Sequence, residues 1–524
     1  MVFRFIDSFM PKTNQKNPKI KLSNLPPKAL SFIKSHWPLL VIWLLALFVR
    51  FYRQDQLLGF YYDQGRDALM ARDIIKGINF PAIGPTTGIQ GLYLGPFWYY
   101  LITPGYFFSK GNPAIAAYFI SFIESLSIPL IYFLIRKYFH KSSALLAIIF
   151  WSFSNYLVRS SRWFSNPSPI PTFALLIIYL TLEVFQNHRY YKLYLISLLL
   201  GLSLQLEAAS AIFFIPSLLV FSLINFNTLK KIPLKQYLFS ILSFFATLLP
   251  QLAFEIKNSF PVTKTFFAFL SGSVNTTSGK SWGLPNFVFI QDRIKFYYQV
   301  FFTKLDTNFT PFSLVLLAIF ILGIIILITR HRHNLFVQLS LVWLFAPLLI
   351  LLFFQGNYGT LYDYYLTGFF PAFIIVISSS LYASQKLYLN LLLSLSTLFI
   401  FSNGNFIHLN NYLIANPDGP THVSLGNQSQ ALKYICQKAP RDYNLNIYVP
   451  PITPHTYNYL MNWYQDQGIC HPPSTQDQKI VFSLYEVDLN NPSALDNWLK
   501  SQDAVGKIDS ITEFGGIVVQ QRVR

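Results

Sequence analysis

The chain has 524 residues, of which 53% are hydrophobic, 18% aromatic and only 12% charged, with a mean hydropathy of +0.39. That is about half the charge of a soluble domain, which excludes a wholly soluble globule, a disordered chain and a disulfide-dense secreted scaffold and points to a polytopic membrane protein with some soluble mass attached. Lys and Arg outnumber Asp and Glu by 40 to 22, but the basic residues fall in short clusters between apolar runs, as in the inner loops of a membrane protein and unlike a nucleic-acid surface.

Residues 1–35 are polar and basic and read as a cytoplasmic tail lying near anionic lipid. Eleven apolar segments of spanning or near-spanning length follow, at 36–54, 112–136, 142–158, 168–185, 190–206, 208–225, 236–255, 310–329, 334–354, 361–382 and 386–402. A further stretch, 92–108, is short, carries Gly95, Pro96, Pro104 and Gly105, and is rich in Trp and Tyr, which suits a membrane interface. With 92–108 interfacial and the tail inside, the short inner loops hold 11 basic residues and the short outer loops hold 2, Arg159 and Arg162. A spanning 92–108 would reverse those numbers, so the distribution favours an inside N-terminus and an outside C-terminus.

Two long loops then face outward. Loop 53–111 contains a charged helical stretch, Tyr62–Lys76, and loop 256–309 ends in an amphipathic stretch, Pro285–Lys304, that reads as a surface-lying helix. Residues 403–524 are polar and alternate helical patterns (428–438, 454–467, 493–502) with strand-like runs (445–449, 479–484, 506–513, 516–523). The expected fold is therefore an all-α polytopic membrane domain, 36–402, with about 11 spans plus interfacial helices, and a small α/β extracytoplasmic domain, 403–524. Cys436 and Cys470 both lie in the latter, either as a disulfide closing a loop worth roughly 3–4 kcal/mol or as two free buried thiols.

The densest outer charge cluster is Tyr62-Asp63-Gln64-Gly65-Arg66-Asp67, with Asp63, Arg66, Asp67 and Met70 on one helix face. A carboxylate there is placed to act on an amphiphilic substrate, and a capped surface helix with ion pairs is the plainer alternative. Arg159 and Arg162 break the positive-inside bias, so they either bind a phosphate or reach for headgroups. Glu207 and Glu255 stand on the outer side, Asp363 begins the tenth segment, and Glu124 is mid-span, as a functional or a packing group. The histidines show no metal-ligand spacing, no phosphate-binding glycine loop is present, and the Asn275, Asn308 and Asn427 sequons carry no weight by themselves.

The Asp63 cluster is followed by Gly84-Pro85-Thr86-Thr87-Gly88, by Leu94-Gly95-Pro96-Phe97-Trp98-Tyr99-Tyr100-Leu101 and by a long loop after Phe254-Glu255-Ile256-Lys257. In that order the chain resembles the polytopic C-type glycosyltransferases, among them the protein O-mannosyltransferases and the lipid A aminoarabinose and galacturonic acid transferases. The resemblance covers about residues 35–400. It implies transfer of a sugar from a polyprenyl-phosphate donor to a glycan, lipid or protein hydroxyl at the outer face of the plasma membrane, with Asp63 as the catalytic base. On that reading the outer cations Arg66, Arg159 and Arg162 are the candidates for donor-phosphate contacts, and Asp67, Trp98, Tyr99, Glu207 and Glu255 are the candidates for substrate contacts. The chain departs from the family pattern at Gln64, where many relatives have a second acid, at Leu94-Gly95-Pro96-Phe97, which lacks a lysine, and at Asn166, where many have Asp. No cofactor is required by the sequence, and a divalent cation is compatible with it. A lipid-linked polysaccharide polymerase or ligase is the second reading. A flippase of lipid-linked sugar is the third, disfavoured because the outward charges gather in loops at one face rather than along a central path.

Overall fold

The structure, a computed structural model, describes residues 27–271, 284–354, 360–450 and 453–524. Most of the basic tail, the Gly/Ser/Thr-rich part of the second long loop and the Asn275 sequon lie outside the described residues. Helices occupy all eleven apolar segments. Among the described residues five helices are long and apolar enough to cross a membrane by themselves: Ser31–Phe51, Pro113–Tyr138, Leu234–Lys257, Phe312–His331 and Leu387–Leu413. The chain is a multi-pass membrane protein.

Helix α1 (Pro27–Phe51) begins inside the expected tail and kinks at His36, just before Pro38. This is where a proline ring denies the helix a donor. Helices α2 (Tyr62–Ile75) and α3 (Phe97–Phe108) follow. The segment 112–136 is a near-continuous pair, α4 (Pro113–Ser125) and α5 (Ser127–Tyr138), started by Asn112, whose side chain accepts the Ala114 N–H. The segment 142–158 is two helices, α6 (Lys141–Phe153) and α7 (Asn155–Arg162), because Ser154 turns extended and caps the second. Then come α8 (Ile170–Phe185), α9 (Leu193–Leu206), α10 (Phe214–Ile224), α11 (Leu234–Lys257), α12 (Pro261–Leu270), α13 (Phe287–Phe302), α14 (Phe312–His331), α15 (Leu335–Leu351), α16 (Phe370–Ser380) and α17 (Leu387–Leu413). Helix α17 continues well past Ser402, where the composition changes, so its last turns are polar.

Helix α1 runs antiparallel to the α4–α5 pair. His36 near its start meets Tyr132 near the end of α5, and Phe51 at its end meets Tyr118 near the start of α4. Residues 53–111 therefore begin and end at one end of the bundle, and α3 does not cross it. The connections near residues 139, 187, 331 and 382 gather at the opposite end, where Tyr138 meets Phe336 and Gln186, Phe139 meets His331, and His140 stacks on Tyr382. Leu238, Phe239, Ile241, Leu242, Phe245 and Leu249 of α11 are exposed, an apolar helix flank of the kind that faces lipid.

The C-terminal region places α18 (Leu425–Lys438), α19 (His455–Asp466) and α20 (Pro492–Asp503) around a four-stranded sheet of β1 (Asn444–Tyr448), β2 (Ile480–Glu486), β3 (Lys507–Phe514) and β4 (Ile517–Val523). Strand order is β1-β2-β4-β3, with β1 and β2 parallel and the other pairs antiparallel. Cys436 and Cys470 are disulfide-bonded, tying the end of α18 to the segment after α19. This region sits on α2. Arg72 and Lys76 each pair with Asp466 at 2.9 Å, and the Thr456 hydroxyl donates to the Tyr61 carbonyl at 2.7 Å. Gly65 makes the approach possible, since a Cβ there would stand 2.3 Å from the Thr456 backbone nitrogen.

Candidate active site

A cavity of about 1590 Å³ opens at the end of the bundle that carries loop 53–111. Helix α2 delivers its first acids. The Gln64 side chain accepts the Tyr61 N–H at 3.1 Å and so caps the helix. Asp63, in the first turn, stays largely exposed at the cavity wall and pairs with Arg66 at 2.8 Å. Arg66 also holds Asp67 through two contacts, Nε at 2.9 Å and a terminal nitrogen at 2.8 Å. The second Asp67 oxygen accepts the Trp98 indole N–H at 2.7 Å. Burial pushes the Asp67 carboxyl up to about 6, with Arg66 and Trp98 pulling it back.

The Gly84-Pro85-Thr86-Thr87-Gly88 run folds into a small hairpin whose Thr86 bridges Tyr93 and whose residues line the cavity. Gly84 is needed because a Cβ would collide with the Gly95 carbonyl at 2.0 Å. Gln205 from α9 accepts the Phe97 N–H at 3.2 Å and fixes the start of α3. Glu207 follows at the break after α9 and accepts from Asn166 at 3.2 Å and from the Ala209 N–H at 3.2 Å. Burial pushes Glu207 up to about 7 despite those two donors. Glu255, at the end of α11, accepts the N–H groups of Val262 and Thr263, both at 2.9 Å, and so caps α12. The side formed by α11 and α12 is largely apolar, with Leu248, Leu252, Phe254, Phe266 and Phe269.

Seven of the sequence candidates fall into two groups here. Asp63, Asp67, Arg159, Glu207 and Glu255 line one cavity, whereas Trp98 and Tyr99 do not reach it. Both rings are buried beneath α2, where Trp98 orients Asp67. Arg66 is engaged by two carboxylates. Arg162 is turned away altogether: it donates to the carbonyls of Val49, Arg50 and Tyr52 at 2.8, 3.0 and 2.9 Å and to the Tyr412 hydroxyl at 3.0 Å. Its guanidinium finishes the C-terminus of α1, a use that the unsatisfied carbonyls of a helix end explain. Arg159, three residues earlier on α7, lines the cavity, and its guanidinium has no hydrogen-bond or ion-pair partner among the described residues, resting only 5.2 Å from the Tyr412 ring. It is also the one cation among the described lining residues.

Sequence reading passed over Tyr156, Asn155, Tyr364 and Tyr365, all on the cavity wall. Tyr156 donates to Asp363. The run Tyr362-Asp363-Tyr364-Tyr365 was a visible signal, three phenols around an acid at the start of an apolar segment. Among the described residues no three His, Cys, Asp or Glu side chains cluster as metal ligands.

Residues 95–254 match the family model described as dolichyl-phosphate-mannose-protein mannosyltransferase. No significant match is found among curated proteins. Among solved structures, ArnT from Cupriavidus metallidurans bound to undecaprenyl phosphate superposes with a TM-score of 0.58 at 12% identity, over 95% of this chain and 99% of that one. Its apo state gives 0.59 at 10% identity, over 95% and 98%. The chain has the fold of these ArnT structures along nearly its whole length. The cavity and the helix bearing Asp63 lie at the end of the bundle that carries loop 53–111.

Proposed function

We propose that this protein is a membrane glycosyltransferase that moves a sugar from a polyprenyl-phosphate donor to an acceptor hydroxyl at the extracytoplasmic face, with Asp63 as general base. The observation that carries the reading is one cavity that combines an open carboxylate, a cation free of carboxylates and an apolar wall. A hydroxyl is a poor nucleophile until a base within hydrogen-bond reach takes its proton. Asp63 suits that role: one oxygen is held by Arg66, and the other has no partner among the described residues. Asp67 is a poor alternative, since both its oxygens are engaged. It serves to fix Arg66, and through it Asp63.

The donor's bond breaks with its electron pair leaving on a lipid phosphate, which needs no added proton but is favoured by positive charge. Arg159 supplies it. Glu207 and Asn166 offer polar partners for sugar hydroxyls, and the apolar wall of α11 and α12 suits a polyprenyl chain. The C-terminal region, seated on α2, holds the base-bearing helix in place. The undecaprenyl phosphate in the ArnT structure supports a donor of this class here. The test is purified protein with a panel of polyprenyl-phosphate sugars, following release of free polyprenyl phosphate. Release from at least one sugar by the wild type with an acceptor present, and release roughly 10²–10⁴-fold slower by Asp63→Asn, is the expected result. Equal release by the two proteins would remove Asp63 as the base.

A further inference from the structure

Lys304 lies in the turn after α13 and is fully buried. Its ammonium stands 3.3 Å from the centre of the Tyr156 ring and 4.3 Å from that of Phe370. Its one hydrogen bond is long, 3.4 Å to the Thr303 hydroxyl, and no carboxylate lies within ion-pair distance among the described residues. Two aromatic faces return only part of the hydration such a group loses. Burial accordingly pushes Lys304 down to about 7, with Asp363 pulling it back up, and an anion arriving in the cavity would favour its charged form. A lysine used only for packing would be better replaced by a methionine.

The position suggests a use. Lys304 does not line the cavity, but Tyr156 does, and the ammonium lies on the Tyr156 ring. The Tyr156 hydroxyl donates to Asp363, also on the wall. Among the described residues five carboxylates line the cavity, Asp63, Asp67, Glu207, Glu255 and Asp363, against the single cation Arg159. A site that must hold a phosphate needs more positive potential than that lining supplies. A charge one ring thickness away, itself fully buried, is screened less than an exposed one.

We propose that Lys304 is a positioning residue for the donor phosphate, acting through Tyr156: it fixes and polarises the phenol on the cavity wall and supplies the second positive charge from behind it. This rests on the polyprenyl-phosphate reading above. A cation over the ring strengthens the hydroxyl as a donor, and a phosphate oxygen arriving in the cavity would compete with Asp363 for that donor.

The experiment measures binding of a polyprenyl phosphate and of the matching neutral polyprenol to the purified full chain in nanodiscs. The wild type is expected to prefer the phosphate. Lys304→Met should lower affinity for the phosphate lipid roughly tenfold while leaving polyprenol binding unchanged, and Lys304→Arg should keep most of the preference. Tyr156→Phe should lower the preference too, and adding it to Lys304→Met should cost less than the two changes apart. An unchanged preference in Lys304→Met overturns the inference. So does an equal loss for both lipids, or a Lys304→Arg variant that loses the preference, because either marks a merely structural lysine. Should Lys304→Met fail to fold, Tyr156→Phe decides, and an unaltered preference there overturns the inference. A wild type without any preference for the phosphate removes the donor reading and this inference with it, a result distinct from the others because it appears before any substitution.

Discussion

Two sets of charged residues sit close together in this protein and behave in opposite ways. In the bundle interior, Arg50 pairs with Glu124 at 3.2 Å and reaches the carbonyls of Trp151 and Ser152, while Arg162 fills the end of α1 with three carbonyl contacts. Those groups find their partners inside the protein, with one terminal nitrogen of Arg162 left without a hydrogen bond among the described residues, and they tie α1 to α4, α6 and α7. On the cavity wall, Asp63 keeps an oxygen open and Arg159 leans only on a ring. The two arginines come from one helix and differ by less than one turn. A buried charge with all its partners inside the protein is architecture, and a charge left without them beside a cavity is available to a substrate.

The sharpest break of that contrast is at Asp63. Asp63→Asn should lower transfer by roughly 10²–10⁴-fold, the usual contribution of a general base, with no change in thermal stability. A variant that melts early instead would move Asp63 into the architectural set. Arg162→Met should do the reverse, costing about 3 kcal/mol or more because three helix-end carbonyls lose their donor. It would be read as a lost or sharply lowered melting transition in detergent. Arg159→Gln should leave that transition in place and lower transfer by roughly 10–100-fold through lost phosphate stabilisation. Equal effects of the two arginine variants on stability would dissolve the contrast.

Smaller effects sharpen it. Replacing both Cys436 and Cys470 by Ser should lower the stability of the C-terminal region by roughly 3–4 kcal/mol in the chain-entropy model, given a separation of 34 residues. Transfer should fall only at temperatures where that region loosens from α2. Glu207 is expected to show the weakest signature. Burial raises it to about 7, so the folded protein binds its proton more tightly than the unfolded chain does. The stability this contributes is complete below the ordinary Glu range and is lost as pH rises through about 7. Melting temperature should therefore decline from pH 5 to pH 8 in the wild type, and Glu207→Gln should flatten that decline.

Much of this architecture was legible in the sequence, for physical reasons that differ by region. Every apolar segment is a helix because runs of that length admit no other way to satisfy the backbone in lipid. The polar C-terminal region was read nearly to the residue: the pattern 428–438 is α18 from Leu425 to Lys438, and 479–484 is β2 from Ile480 to Glu486. There, alternation and caps are local signals. Helix breaks at Leu126 and Ser154 were not visible, since apolar periodicity runs through both.

The site was legible only in part. Asp63 stood out because a charged helix just after a first span is unusual in so apolar a chain. Arg159 and Arg162 looked alike, because the sequence shows their violation of the loop charge rule but not which of them faces α1. Trp98 and Tyr99 read as interfacial aromatics, and tertiary packing buries them under α2 instead. Lys304 gave no signal at all. It lies at the end of an amphipathic stretch, and only the approach of Tyr156 and Phe370, distant in the chain, makes it unusual.

The most direct test of the central claim uses membranes that express the wild type or Asp63→Asn, with polyprenyl-phosphate sugars and outer glycans followed by mass spectrometry. The account predicts that the variant inserts normally, that one lipid-phosphate sugar accumulates and that one glycan modification disappears, which would also name the sugar. Identical lipid and glycan profiles in the two membranes would contradict it.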